Sequence, residues 1–294
     1  MPRSADVVGE STGKTSLMIR RIIAYVVLIF LVFISLFPFY LLMVNATRGK
    51  VQNGIQYFFS GNLGSNFKNL FSDETEHLYG NILTSFVNSF LISGLSCILS
   101  VYFSALTAYA IHVYDFRLKK IAYTFILLVM MVPTQASALG FYRLMIKLDL
   151  IDSFIPLIIP SIAAPSVFFF MKQYMDSSLP LEIVEAARID GCGEFRTFNS
   201  IVLPILKPAF AVQGIFTFVG SWNNYFTPRM ILQTKKTIPL VLQYMKAQIL
   251  GNPQVAHAGI MNLYMVLAIL PVVIVYLALS KFIIRGIALG AVKG

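Results

Sequence analysis

Charge is what this chain lacks. Only 12% of its 294 residues are Asp, Glu, Lys or Arg, about half the roughly 25% usual in a soluble domain. With 57% hydrophobic residues and a mean hydropathy of +0.75, that deficit excludes an ordinary soluble enzyme and argues for an integral membrane protein. Cysteine is scarce too. Cys97 lies in an apolar run and Cys192 in a polar loop, so there is neither a disulfide framework nor a CxxC pair. His77, His112 and His257 are scattered, and no metal-ligand spacing exists. A membrane-embedded enzyme would need paired carboxylates or a His cluster at the membrane face, and none is visible. An ion-coupled transporter or channel would be expected to carry intramembrane charges. The cores of the apolar runs contain none. A nucleotide motor is missing as well. VGESTGKTS approaches a phosphate-binding loop, but only three residues separate Gly9 from Gly13, where the pattern needs four and a preceding strand.

What is present is apolar length. A membrane-spanning helix needs about 20 mostly apolar residues. Six segments meet that need: between Arg21 and Arg48, from Ile82 to His112, between Lys120 and Arg143, between Asp152 and Lys172, between Lys207 and Arg229, and from Asn262 to Ser280. The first is too long for a signal-peptide core and no small-x-small cleavage site follows it, so it reads as retained. The expected fold class is an all-α integral membrane protein with six transmembrane helices.

An even number of spans puts both termini on one side. The +10 net charge then reads as a topology signal, because the basic residues sit mostly in loops. One side carries Arg3, Lys14, Arg20 and Arg21, then Arg117, Lys119 and Lys120, then Lys172, Arg188, Arg196 and Lys207, and finally Lys281, Arg285 and Lys293. These are 14 of the 23 basic residues. The excess marks the cytoplasmic side, which would hold both termini. The expected organisation is a cytoplasmic tail over 1–21, a six-span domain over 22–284 and a C-terminal tail over 285–294. The polar Asn45–Asn81 segment reads as an extracytoplasmic loop.

The main polar interruption of the second half is EAARIDGCGEFRTFNSIVLPILKP, Glu185 to Pro208, inside a cytoplasmic loop over about 177–207. Pro180 can open a helix without losing a hydrogen bond, and Glu182 suits its positive end. The pattern predicts a helix from Pro180 to about Asp190. Glu182, Glu185 and Arg188 share one face, with Glu185 and Arg188 in the favourable order for a pair. Leu181, Val184 and Ala187 line another. Asp190-Gly191 signals a turn, and Gly193 adds a second flexible point. The small Ala186 and Ala187 let a partner approach closely. The same pattern also suits an interfacial helix that touches only the membrane surface.

The EAA, DG and IVLP groups of this loop, SWNNYFTP from Ser221 to Pro228, and FIIRGIALGAVKG from Phe282 to Gly294 together resemble permease subunits of bacterial carbohydrate-uptake ABC importers. The chain is similar to the six-span second permease of the maltose type, with Cys192 standing where that family usually has alanine. The resemblance implies a type I importer fold in a bacterial inner membrane. It also implies a homologous second permease, two ATPase subunits and an extracytoplasmic binding protein, with no nucleic acid involved. Glu185, Ala186, Ala187, Asp190 and Gly191 would form the coupling helix that enters an ATPase cleft. ATP and Mg would be bound by those partners, and no cofactor by this chain. Transport would proceed by alternating access.

Polar side chains at membrane depth usually face the protein interior or a wet path. Asn88, Gln135, Trp222, Asn223, Asn224 and Tyr225 are therefore candidates for a translocation path. Trp222 and Tyr225 could stack on a sugar, anchor at the interface or touch the second permease. Ser89, Ser93, Ser96, Ser100, Ser104 and Ala108 form a small-residue stripe that suits close helix packing. Lys235 and Lys236, on the outer side, leave an anionic cargo such as glycerol-phosphate open beside sugars.

Overall fold

The structure, a computed structural model, describes residues 5–49, 54–251 and 258–291, with side chains for 17–49, 54–251 and 258–282. Among the described residues all regular structure is helical. Helix α1 (Ala5–Ala46) carries the first apolar run, and its backbone is already helical over Gly9–Lys14, where no phosphate loop forms. The segment expected to be a plain loop holds α2 (Leu63–Leu70) and α3 (Asp73–Tyr79). Acidic Asp73, Glu74 and Glu76 sit in the first turn of α3, and Ser72 caps it, both favourable at a helix N-terminus. Helix α4 (Ile82–Val113) is the second span, capped by Asn81 through a 2.9 Å bond from the Thr84 amide.

The third expected span is not one helix. Helices α5 (Lys119–Met130) and α6 (Ala138–Lys147) meet at 86° around a 3-10 turn, Thr134–Ser137. Pro133 lies at the break, where it removes a donor and pushes Val132 out of the helical region. The fourth span runs as α7 (Ile155–Ile158), a 3-10 turn at Ile159–Ile162, and α8 (Pro165–Ser178), interrupted at Ala163–Ala164 ahead of Pro165. The polar loop contains α9 (Leu181–Ile189), α10 (Glu194–Thr197), a π turn over Phe198–Val202, and α11 (Leu203–Ile205). The arm from Glu194 to Ile205 stands at 82° to the one that follows it, so only the latter reads as crossing the membrane.

That fifth crossing comprises α12 (Lys207–Trp222) and α13 (Phe226–Ile231), broken at Asn223–Tyr225. A further helix, α14 (Ile238–Gly251), occupies the loop before α15 (Ala258–Ala291). Val292–Gly294, with Lys293, lies outside the described residues. Among the described residues four helical segments are long and apolar enough to cross a membrane, or up to six if each bent pair is one span.

The chain divides into two compact units, Met1–Leu70 with Ile249–Val266, and Phe71–Gln248 with Leu267–Gly294. In the first, the α1 span buries none of its most apolar window. Asn66 ties the end of α1 to α2 by donating to the carbonyls of Ala46 and Arg48 at 2.8 and 2.7 Å. In the second, α4 is the central post, with α8 and α12 packed along it. The serine stripe makes this possible. Ser89, Ser93, Ser96, Ser100, Ser104 and Ala108 are all buried, so neighbouring backbones approach α4 closely. Ser96 and Ser104 also donate to the carbonyls of Leu157 and Ala164 at 3.2 and 3.4 Å. They reach the two ends of the proline-broken stretch of the fourth span, where Ala164 also accepts from the Phe168 amide at 2.9 Å.

Candidate functional site

Helix α9 starts where Pro180, at φ −61°, serves as N-cap. One face is internal. Val184 and Ala187 are 1% and 4% exposed, and Val184 joins the core built by α4, α8 and the π turn. The opposite face is open and carries Glu182, Glu185, Ala186 and Ile189, spaced as neighbours on one helical stripe. Ile189 is 86% exposed and Phe195, beyond the turn, 72%. Both are large apolar groups that no described residue covers. Leu181, expected on the same face as Val184 and Ala187, is 43% exposed.

The helix ends in a Schellman turn. The Cys192 amide donates to Ala187 at 2.9 Å and the Gly191 amide to Arg188 at 3.0 Å. Gly191 sits at φ +76°, the left-handed region that glycine enters without a Cβ penalty. Gly193 needs no such freedom. At φ −69° and ψ 151° it is extended backbone capping α10.

The expected Glu185–Arg188 pair does not form. Arg188 reaches across the turn instead, its Nε donating to Glu194 Oε1 at 2.7 Å. The other oxygen of Glu194 accepts from the Tyr114 and Tyr109 hydroxyls at 2.6 and 3.1 Å, and Arg188 lies 5.5 Å over the Tyr114 ring. The Arg188 bond, followed by that of Tyr114, holds the Glu194 carboxyl below its ordinary pKa. At the entrance to α9, His112 presents its two ring nitrogens at 2.9 Å to Asp176 and to the Leu179 carbonyl.

The polar residues proposed from sequence for a path separate. Trp222 leaves the set. It is 3% exposed, stacks on Phe218 at 5.5 Å, and donates from Nε1 to the Ala268 carbonyl at 3.1 Å. Its ring is a packing element of the α4–α12–α15 contact. Asn88 is also committed, donating at 2.8 Å to the Lys236 carbonyl. Gln135, Asn223 and Tyr225 are exposed and Asn224 half-buried, all at helix breaks. Asn224 folds back on Thr227 at 3.3 Å.

A cleft of about 370 Å³ collects three of these breaks. Thr134 and Ser137 come from the first, Pro160 and Ala163 from the second, and Ser221, Asn224 and Thr227 from the third, with Phe141 and Phe226 beside them. Its wall contains no ionisable side chain. The 12, 14 and 16 residues of α5, α8 and α12 raise the breaks by about 18, 21 and 24 Å at 1.5 Å per residue. Against a hydrocarbon core of about 30 Å, the cleft lies at membrane depth, away from the α9 end.

Comparison with known proteins decides what this arrangement belongs to. Residues 100–289 match the family described as binding-protein-dependent transport system inner membrane component. The chain belongs to that family. A permease of this family is the non-catalytic, multi-pass membrane part of an ABC importer, which works with a binding protein and an ATPase. The arabinooligosaccharides transport permease AraQ of Halalkalibacterium halodurans is 34% identical over 90% of this chain and 94% of its own length. The maltodextrin permease MdxG of Bacillus subtilis is 32% identical over 96% and 99%. A solved bacterial ABC transporter involved in the import of the acidic polysaccharide alginate aligns with TM-score 0.73 at 22% identity, covering 90% of this chain and 97% of that one. It supports the all-helical permease fold.

Within the permease, sequence reasoning missed Ile189 and Glu194. Ile189 was findable, because it falls three and four residues after Ala186 and Glu185. Glu194 was not, since its partners Tyr114 and Tyr109, at the end of α4, lie 80 and 85 positions away.

Proposed function

We propose that this permease forms half of a heterodimeric path for a neutral carbohydrate, with both termini and α9 in the cytoplasm. Two ATPase subunits and an extracytoplasmic binding protein complete the transporter, which works by alternating access. Glu185, Ala186, Asp190 and Gly191 form the ATPase contact together with Ile189, while Ala187 anchors the helix from behind. The observation that carries the reading is the open stripe of α9, which ends in an uncovered isoleucine. A helix that met only lipid headgroups would also present free cations, yet this stripe carries Glu182 and Glu185, and the neighbouring Arg188 is paired with Glu194.

The cargo reading rests on the cleft. Hydroxyl and amide groups at helix breaks, flanked by Phe141 and Phe226 and without a cation, suit a polyol better than a phosphate. The sugar cargoes in the names of the relatives agree. Lys235 and Lys236, the residues that kept an anionic cargo open, are already engaged. Lys235 Nζ donates to the Asp152 carbonyl at 2.6 Å, and Lys236 lies 4.5 Å over Tyr244.

The test is uptake by the complete transporter in proteoliposomes. Ile189→Asp is expected to release the ATPase during co-purification while the membrane subunits stay paired. Thr227→Val is expected to lower uptake with the ATPase still bound. Retained ATPase in Ile189→Asp would overturn the docking assignment. Transport of glycerol-phosphate and of no neutral oligosaccharide would overturn the cargo assignment.

A further inference from the structure

The loop that holds α9 joins spans four and five in sequence, so force on α9 would be expected to enter α8 and α12. The hydrogen bonds point elsewhere. Residues 109 and 112 lie in the last turn and a half of α4, and Tyr114 is its C-cap. His112 takes the Leu179 carbonyl, immediately before α9, at 2.9 Å. Tyr109 and Tyr114 take the Glu194 carboxylate, beyond the turn that follows α9, at 3.1 and 2.6 Å. Both ends of the α9 segment are thus fastened to one element that is 67 or more positions away in sequence. Between those ties Val184 sits in the same core as Ala105, Ala108 and Tyr109.

We infer that Glu194 is a positioning residue for energy coupling, a clasp that makes α9 and the end of α4 move as one body. Its two oxygens divide the work. Oε1 holds Arg188 on the α9 side, and Oε2 holds the two tyrosines on the α4 side. Displacement of α9 by a partner is therefore delivered to α4. That helix packs against both α8 and α12, and its serines fasten the broken fourth span at Leu157 and Ala164. The clasp thus links the partner-facing surface to the helix breaks around the cleft. The inference rests on the assignment of α9 as the ATPase contact.

Two half-cuts test it. Glu194→Gln keeps an acceptor for the tyrosines but turns an amide donor toward Arg188, so it severs the α9 side. Tyr109→Phe with Tyr114→Phe leaves the ion pair and severs the α4 side. Uptake and ATP hydrolysis are measured in the same proteoliposomes holding the complete transporter, with co-purified ATPase as the assembly readout. Because the clasp acts as one network, each half-cut should lower solute moved per ATP by about fivefold or more with assembly intact. A ratio within about twofold of the unmodified transporter for either half-cut would overturn the clasp. So would loss of the ATPase in Glu194→Gln, which would make Glu194 a docking residue. Ile189→Asp serves as the separate control. If it retains the ATPase, the docking assignment of α9 fails, whatever the half-cuts do.

Discussion

Gly191 and Gly193 stand two residues apart in the same loop, and the backbone treats them differently. Gly191 lies at φ +76°, Gly193 at φ −69°. A Cβ added at either meets nothing within 4 Å, so sterics with neighbours cannot distinguish them. Only the backbone conformation can. An L-residue held left-handed costs about 1–2 kcal/mol. At Gly193, alanine fits and restricts the unfolded chain, for a gain of about 0.4–1 kcal/mol. Gly191→Ala should therefore open the Schellman turn about fivefold more often or beyond, since about 1.4 kcal/mol is tenfold. Gly193→Ala should leave it unchanged or tighter. Gly191→Pro forbids the native φ and removes the amide that donates to Arg188, a loss of about 3 kcal/mol or more. Amide hydrogen exchange at Gly191 (for the alanine variants) and Cys192 reads the turn directly, and uptake by the complete transporter reads its use. Exchange should rise in the order Gly193→Ala, unmodified, Gly191→Ala, Gly191→Pro, and uptake should fall in step. Equal behaviour of the two alanine variants would refute the assignment of the turn. Normal uptake with Gly191→Pro would refute its role in coupling.

Trp222, the only tryptophan, should keep its emission unchanged when cargo is added, because its ring is buried away from the cleft. Trp222→Ala should destabilise the solubilised subunit by about 3–5 kcal/mol, read by thermal unfolding. Asp152 bridges the loops before α7 and after α13. Partial burial opposes its charge, but bonds from the Thr234 hydroxyl and from the amides of Gln233, Lys235 and Thr234 hold its pKa at about 2, below 3.8. A depressed carboxylate stabilises the fold above its unfolded pKa, so this contribution is complete above about pH 4 and drains as pH falls through about 2. Asp152→Asn should abolish that pH dependence, followed by proteolysis of the 231–236 segment. Ser93 and Ser100 are buried with unpartnered hydroxyls. Their alanine variants should be neutral or up to about 1 kcal/mol more stable, whereas leucine should force α4 from its neighbours and lower yield.

Much of this molecule was readable from sequence because lipid imposes length. Each apolar run had to become helix, and charged loops had to separate the runs. The run containing Pro133 shows where that reading stops. Composition gives the length of a crossing but not its straightness, and prolines tolerated in membrane helices can bend one by 86°. The α9 turn was legible because Asp190-Gly191 is a local signal. Trp222 misled for a related reason. An aromatic beside two asparagines suits a sugar and a helix interface equally, and the Ala268 carbonyl that decides between them lies 46 positions away. Arg188 misled similarly, because Glu185 is near in sequence while Glu194 is better placed in space.

The interruptions near Thr134, Ala163 and Asn224 leave each of those crossings as two short rods with a joint. Below the joints α8 and α12 stand with the α4 post, and α5 packs on α8. Above them α7 stays fastened to α4 through Ser96 and Leu157, while a few backbone torsions can reorient α6 and α13. Opening and closing around a solute can then be confined to the upper segments, with no need to tilt every full-length helix through the bilayer. A substitution that straightened one joint would cost the subunit its range of motion before its stability.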